Sequence, residues 1–216
     1  MKVEIWSDIM CPFCYIGKRH FEDAMKKLLP KSDIEIIWKS FQLNPDMVTD
    51  PKKNINEYLA EVKGWSIAQA RNMNQSVTDM AGKVGLSYNM DQAVVANSFD
   101  AHRLIQMAKD HGLGDQAGEA LFHAYFTNGE NIADKNTLIR LSQKIGLDKN
   151  ETEDMLNGTS YSQQVNQDIQ EAKTLGVTGV PFFVLNRKYA ISGAQPSDVF
   201  IKAMEKAMNE EESTHY

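Results

Sequence analysis

The sequence predicts an α/β protein in which a strand-bearing fold is interrupted by a long helical insertion. The chain opens as strand–helix–strand between Val3 and Phe41. From about residue 50 to residue 157 it reads as helix after helix, with no strand-like alternation. It closes with a helix, a strand hairpin and a last helix between Ser160 and Ala207. The expected organisation is therefore one domain built from residues 1–49 and 158–216, and an all-helical insertion domain over residues 50–157.

Taken in order, Val3, Ile5 and Trp6 mark a short buried strand, and Ser7 to Met10 a loop. Pro12 suits the first turn of a helix, where its missing N–H costs nothing. The helix continues through Phe21, Ala24, Met25 and Leu28 at i, i+3, i+4, i+7 spacing, and Pro30 is expected to stop it. Ile34 to Phe41 is rich in β-branched and aromatic residues and reads as a second strand, so the opening fits a right-handed βαβ unit. In the insertion, Ser66-Ile67-Ala68-Gln69 has the pattern of a capping box and leads into Ala70, Met73, Val77 and Met80 or Ala81. Asp91 is expected to cap the next helix, with Val94, Val95, Phe99, Ile105 and Ala108 on one stripe and an end near Gly112. Further helices fit Asp115 to Phe126, Asp134 to Ile145 and Glu151 to Leu156. Ser160 to Leu175 is helical, with Gly176 as its stop. Gly179 to Leu185 and Tyr189 to Gly193 form two strands joined by the turn Asn186-Arg187-Lys188. Pro196 opens a final helix through Val199, Phe200, Ala203 and Ala207, and Glu210 to Tyr216 reads as a fraying polar tail.

Composition removes several function classes. The 216 residues suffice for one core carrying a sizeable insertion, and 42% hydrophobic with 24% charged residues is ordinary for a soluble protein. A net charge of −6 argues against a nucleic-acid partner, because phosphate binding needs clustered Lys and Arg. The pairs Lys26-Lys27 and Lys52-Lys53 are isolated and read as solvated surface. No apolar run approaches the roughly 20 residues that span a bilayer, so no membrane partner is expected. The first residues enter a strand pattern without a leader-like segment, and a cytoplasmic location is expected. No metal is expected either. Structural zinc usually takes four ligands, whereas the five His are scattered and the two Cys stand together at 11 and 14. Two cysteines three positions apart are not a disulfide framework; they are a redox pair or a coincidence.

If Cys11 stands at the head of the first helix, chemistry follows. A helix N-terminus carries partial positive charge and unpaired N–H groups, which favour a thiolate, and the thiolate is the nucleophile of disulfide exchange. Cys14, one turn on, is placed to resolve a mixed disulfide. The competing reading is two small apolar residues sharing a core. The position after a strand, at a helix start, in a chain with no other Cys favours the redox reading. Pro181, after Gly179-Val180 at a strand start, is either a cis residue at the site or an edge-strand proline.

Ser7-Asp8-Ile9-Met10-Cys11-Pro12-Phe13-Cys14-Tyr15-Ile16-Gly17, Asn97-Ser98-Phe99-Asp100-Ala101-His102-Arg103-Leu104 and Gly179-Val180-Pro181-Phe182-Phe183-Val184, taken in order, resemble the DsbA-like oxidoreductases of the FrnE type. Leu121 to Phe126 and Ser192 to Pro196 also fit, and the resemblance covers nearly the whole chain. It implies a thioredoxin-like fold, with a central mixed sheet, interrupted by a helical domain. It implies Cys11 as attacking thiol, Cys14 as resolving thiol and Pro181 as a cis-proline facing them, with Pro12, Phe13 and Val180 surrounding the site. DsbA has a His where Phe13 stands, so a less oxidising protein than DsbA is expected.

The resemblance also implies protein dithiol–disulfide exchange, with disulfide isomerase activity as a variant. The partners would be protein or small-molecule thiols and disulfides, acting on a monomer or homodimer. No tightly bound cofactor is expected beyond the redox-active disulfide, and glutathione is admitted as co-substrate. In the related kappa-class glutathione transferases and hydroxychromene-carboxylate isomerases the helical domain covers the site. Asn97 and His102 therefore face a substrate cleft in one reading, and are a capping asparagine and a packing histidine in the other. A glutathione-dependent isomerase or transferase is the alternative function, with a chaperone-like module carrying a structural disulfide as the third. Asp8 would oppose a thiolate at Cys11 unless it points to solvent, and receives no catalytic role. Trp6, Tyr15 and Trp38 line a groove or pack the core, and the Met residues fall mostly in helical stripes that read as core.

Overall fold

The structure is a computed structural model that describes residues 1–28 and 34–213, with side chains through residue 210. The expected helix stop at Pro30 lies outside the described residues. Four strands form the central mixed sheet in the order β2-β1-β5-β6: β1 (Lys2–Ser7), β2 (Glu35–Ser40), β5 (Phe182–Leu185) and β6 (Tyr189–Ser192). β1 runs parallel to β2, with Ile5 opposite Trp38, and antiparallel to β5, with Ile5 opposite Phe183. The fold class is the expected one.

The central strand β1 is buried on both faces, and its alternation divides the core. Val3 and Ile5 face α1 (Pro12–Leu28) and α9 (Ser197–Ser213), where Phe21, Phe183 and Phe200 make a cluster with ring centroids 4.7–5.7 Å apart. Trp6 faces the other way, packing with Ala172, Val177 and Val184 under α8 (Ser162–Thr174). Its indole N–H donates to the Asp168 carbonyl at 3.0 Å. The β5–β6 turn places Asn186 and Arg187 at φ 48° and 57°, the left-handed pair that matches the twist of a tight hairpin. Residues Glu210 to Ser213, expected in a fraying tail, continue α9, and residues 214–216 lie outside the described ones.

Between β2 and α8 lie α2 (Ile55–Lys63), α3 (Ile67–Gly82), α4 (Phe99–Asp110), α5 (Gly114–Phe126), α6 (Lys135–Lys144) and α7 (Lys149–Asn157). The capping box at Ser66 forms as expected: its hydroxyl accepts from Gln69 N, and the Gln69 side chain accepts from Ser66 N. On α3, Ala70, Val77 and Ala81 are buried, whereas Met73 and Met80 are exposed, so these two methionines are not core.

The insertion is not wholly helical. β3 (Asp50–Asn54) pairs antiparallel with β4 (Val94–Val95), residues expected on a helix capped by Asp91. The valines fitted a helical stripe because a period cannot separate two β-branched residues from the helix that follows them. The Asn54 amide decides the matter, donating to the Asp91 carbonyl at 2.7 Å and the Ala93 carbonyl at 3.3 Å and so holding the segment extended. α4 begins only at Phe99, where the Asn97 side chain accepts from Phe99 N at 2.9 Å.

The insertion and the sheet share one apolar core, running from Val3 and Ile5 through Cys14 and Tyr15 to Leu104, Phe122 and Leu138. Polar contacts fasten the same seam. Tyr15 on α1 donates to Glu119 on α5 at 2.5 Å, and Arg19 pairs with both Glu119 oxygens. Lys18, nearly buried, reaches Asp115 at 3.3 Å and Glu119 at 3.1 Å. These cations hold the Glu119 carboxyl at about 2 despite the burial that opposes its charge.

Candidate active site

β1 ends at Ser7, and the chain turns through Asp8 to Met10 before α1. Cys11 N donates to the Asp8 carbonyl at 3.0 Å, closing that turn, and Cys14 N donates to the Cys11 carbonyl at 3.0 Å, starting the helix. Cys11 is thus the residue immediately before the first helical turn, and Pro12 occupies the first helical position where no N–H is needed. The partial positive end of α1 meets the Cys11 sulfur. Both thiols are free. Cys11 keeps 4% of its surface and Cys14 only 1%, so Cys11 is the more accessible. Burial, then the neighbouring Cys11, push the Cys14 thiol well above its ordinary range. Phe13, between them, is exposed and offers an apolar surface beside the pair.

The loop before β5 supplies the opposite wall. Val180-Pro181 is a cis peptide. The Cys11 thiol donates to the Val180 carbonyl at 3.4 Å, joining residues 169 positions apart. Among the described residues the Val180 N–H has no acceptor. Gly17 permits this approach: a Cβ there would stand 2.9 Å from Pro181 Cγ and 3.5 Å from Ala194 Cα. Cys11, Cys14, Pro12, Phe13, Val180 and Pro181 are therefore brought together.

His102 also reaches the site, from beneath. On α4, buried to 2%, its Nε2 lies 3.4 Å from Asp8 Oδ1. Asp8 does not point to solvent. It is 1% exposed, and its carboxylate accepts from Met10 N at 3.2 Å and Leu43 N at 2.8 Å, so its charge is answered locally. Asn97 is occupied elsewhere. Its amide donates to the Pro45 and Met47 carbonyls and accepts from Gln42 and Phe99, tying the loop after β2 to the start of α4. Trp6 and Trp38 are core residues, Trp38 donating to Asp115 at 3.2 Å.

Sequence reasoning missed Tyr88. It comes from the turn before β4, lies buried over the pair, and donates to the Pro12 carbonyl at 2.7 Å. Burial, then the negative character of Cys11, raise its phenol well above the usual range. It belongs to an aromatic stack with Phe126 at 4.7 Å and Tyr15 at 6.1 Å, and Tyr15 in turn stacks on Phe122 at 4.9 Å. The aromatic content of Leu121 to Phe126 was visible, but nothing local to Tyr88 indicated a partner 76 residues earlier. Among the described residues no cluster of His, Cys, Asp and Glu suits a metal ion, and no helix is long and apolar enough to cross a membrane.

Comparison with known proteins adds the following. The family model described as "DSBA-like thioredoxin domain" matches residues 2–205. The uncharacterized protein YwbO of Bacillus subtilis (strain 168) is 30% identical over 210 residues, covering 94% of each chain. The crystal structure of the probable DsbA oxidoreductase SCO1869 from Streptomyces coelicolor superposes with a TM-score of 0.92 at 36% identity, covering 97% of this chain and 91% of that one. The cytosolic disulfide reductase DsbM from Pseudomonas aeruginosa shares the fold, with a TM-score of 0.69 at 16% identity over 97% of this chain and 99% of that one. DsbM has also been solved with GSH.

Proposed function

The chain belongs to the DSBA-like thioredoxin domain family, and from that premise we propose that it is a dithiol–disulfide oxidoreductase with Cys11 as attacking and Cys14 as resolving thiol. One observation carries the reading: Cys11 Sγ sits at the head of α1 and contacts the Val180 carbonyl across the Pro181 loop. In the reducing direction the Cys11 thiolate attacks a substrate disulfide. A Cys11–substrate bond forms, the substrate S–S bond breaks, and the first substrate thiolate leaves. Cys14 loses its proton and attacks Cys11 Sγ. The second substrate thiolate leaves, and the protein dithiol has been oxidised by two electrons to the Cys11–Cys14 disulfide. The reverse sequence oxidises a dithiol substrate.

The free Val180 N–H and the exposed Phe13 ring suit an extended peptide or a small thiol compound laid beside the pair. Protein thiols and disulfides are the partners, with glutathione as a small-molecule co-substrate. Phe13 supplies no donor to the Cys11 thiolate, so the reduced form has one stabilising contact fewer than an imidazole would give. The potential should fall below the roughly −120 mV of DsbA. Such a poise suits work in the cytoplasm.

Cys14→Ser tests the assignment. The variant should accumulate mixed disulfides with substrate and lose multiple-turnover insulin reduction, while Cys11→Ser should form no adduct. Undiminished turnover by the Cys14→Ser variant would remove Cys14 from the reaction. Glutathione conjugation persisting in it would favour a transferase.

A further inference from the structure

The two thiols are joined by a dipeptide with little to hold it in place. Pro12 has no N–H, and neither Pro12 nor Phe13 carries a polar side-chain atom. Phe13 is exposed, so packing does not fix it either. On one side Cys14 lies buried in the shared core. On the other Cys11 is fastened by its N–H on the Asp8 carbonyl and its thiol on the Val180 carbonyl. Among the described residues, one polar contact from outside α1 reaches the dipeptide between these anchors. The Tyr88 hydroxyl donates to the Pro12 carbonyl at 2.7 Å.

Tyr88 is itself well anchored. Its ring is 8% exposed and stacks on Phe126 at 4.7 Å and on Tyr15 at 6.1 Å. The backbone on either side is tied to helix ends. Leu86 N donates to the Ala81 carbonyl on α3 at 3.0 Å, and Asn89 N to the Phe126 carbonyl on α5 at 2.6 Å. A carbonyl oxygen has two lone pairs, so Pro12 accepts from Tyr88 and still serves the helical ladder of α1. Burial raises the phenol well above its usual range, so the donor keeps its proton throughout the pH range of thiol exchange.

We propose that Tyr88 is the positioning residue of the thiol pair: by holding the Pro12 carbonyl it keeps Cys11 within reach of Cys14 and so favours closure of the disulfide ring between them. The inference rests on the dithiol reading. Ring closure is intramolecular, and its rate depends on how well the two sulfurs are prearranged. Without the tether the dipeptide samples arrangements in which the sulfurs stand further apart, so closure is slower and the disulfide less favoured. The first attack, by Cys11 on an outside disulfide, needs no such arrangement. With an aromatic disulfide as substrate, the Cys11 thiolate breaks the reagent's S–S bond and releases one thiolate. Cys14, its proton lost to solvent, then attacks Cys11 Sγ and releases the second. The protein is oxidised and the reagent reduced by two electrons.

Reduced protein is mixed with dithiobis(nitrobenzoate) in a stopped-flow instrument. Attack by Cys11 gives a first phase that depends on reagent concentration, and attack by Cys14 on the Cys11 adduct gives a second that does not. Tyr88→Phe keeps the ring stack and loses only the donor. It should slow the second phase about fivefold and leave the first within about twofold. The slowing should be constant from pH 6 to 9, because the phenol does not titrate there. In glutathione buffers the Cys11–Cys14 couple of the variant should move up by about 20 mV, the two-electron equivalent of a fivefold drop in effective concentration. Replacing Tyr88 by 4-aminophenylalanine restores a donor on the same ring and should recover most of both effects. A Tyr88→Phe protein with the parent's second phase and potential, or with both phases slowed alike as a general loosening of the site would do, overturns the role of the hydroxyl. A parent protein with no second phase overturns the dithiol reading, and the positioning role with it.

Discussion

Arg103 should be among the most costly residues to replace outside the thiol pair. Its side chain is 5% exposed. Nε donates to the Ser160 carbonyl at 2.8 Å, and Nη2 donates to the Gly158 carbonyl at 2.8 Å and to the Met155 carbonyl. Nη1 pairs with Asp100 at 2.7 Å. One guanidinium thus satisfies three carbonyls at the end of α7 and in the turn before α8, clamping them to the helix that carries His102. Arg103→Met keeps much of the stem packing and removes every donor. A hydrogen bond from a charged donor is worth roughly 1.5–3 kcal/mol, so the three carbonyl contacts sum to about 4.5–9 kcal/mol. The three contacts share one guanidinium and are not additive, so the net loss is about 3–5 kcal/mol. For a chain of this length that is roughly 6–20 °C in Tm. Urea unfolding followed by far-ultraviolet circular dichroism measures the loss, as a lower midpoint at unchanged m. Asp100→Asn, which alters only the partly exposed partner, should cost under about 1 kcal/mol. A loss below about 1 kcal/mol for Arg103→Met would refute the clamp.

Two further outcomes follow from contacts around α1. Gly17→Ala gains about 1 kcal/mol of helix propensity but forces a Cβ to 2.9 Å from Pro181 Cγ, an overpacking that costs about 1–3 kcal/mol. Tm should fall or stay level and disulfide exchange should slow about tenfold as α1 backs away from the Val180 loop; a raised Tm with full activity would contradict it. Glu119 has a folded pKa of about 2 against an ordinary 4.5, so its stabilisation is complete above about pH 4.5 and is lost as pH falls through 2. Glu119→Gln should flatten the decline in Tm between pH 5 and 2 by the equivalent of about 1–2 kcal/mol, allowing for solvent screening of a carboxylate 35% exposed. Parallel curves for the two proteins would show that Arg19 and Lys18 do not stabilise it.

What the sequence alone determined is local. The strand–helix–strand opening, the capping box at Ser66, the Asn186-Arg187 turn and Cys11 at a helix start are encoded in neighbouring residues, because caps, turns and periodicity act over one or two turns of chain. The same locality explains the errors. Val94 and Val95 lay on a plausible helical stripe because periodicity over so few residues does not separate strand from helix, and Met73 and Met80 lay on another because a stripe does not say how much of its width a neighbour will cover. Tertiary structure decided the environment of the thiols. Asp8 meets His102 across 94 residues, Tyr88 meets Pro12 across 76, and Cys11 meets Val180 across 169. The first two contacts exist only once the insertion has folded down onto the sheet, and the third only once β5 has paired with β1 from the far end of the chain. That docking is driven by apolar burial, which is not directional, so the pattern of one segment does not name the partner it will find. The two cysteines announced a chemistry; the buried carboxylate and imidazole beside them became visible only in the packed protein.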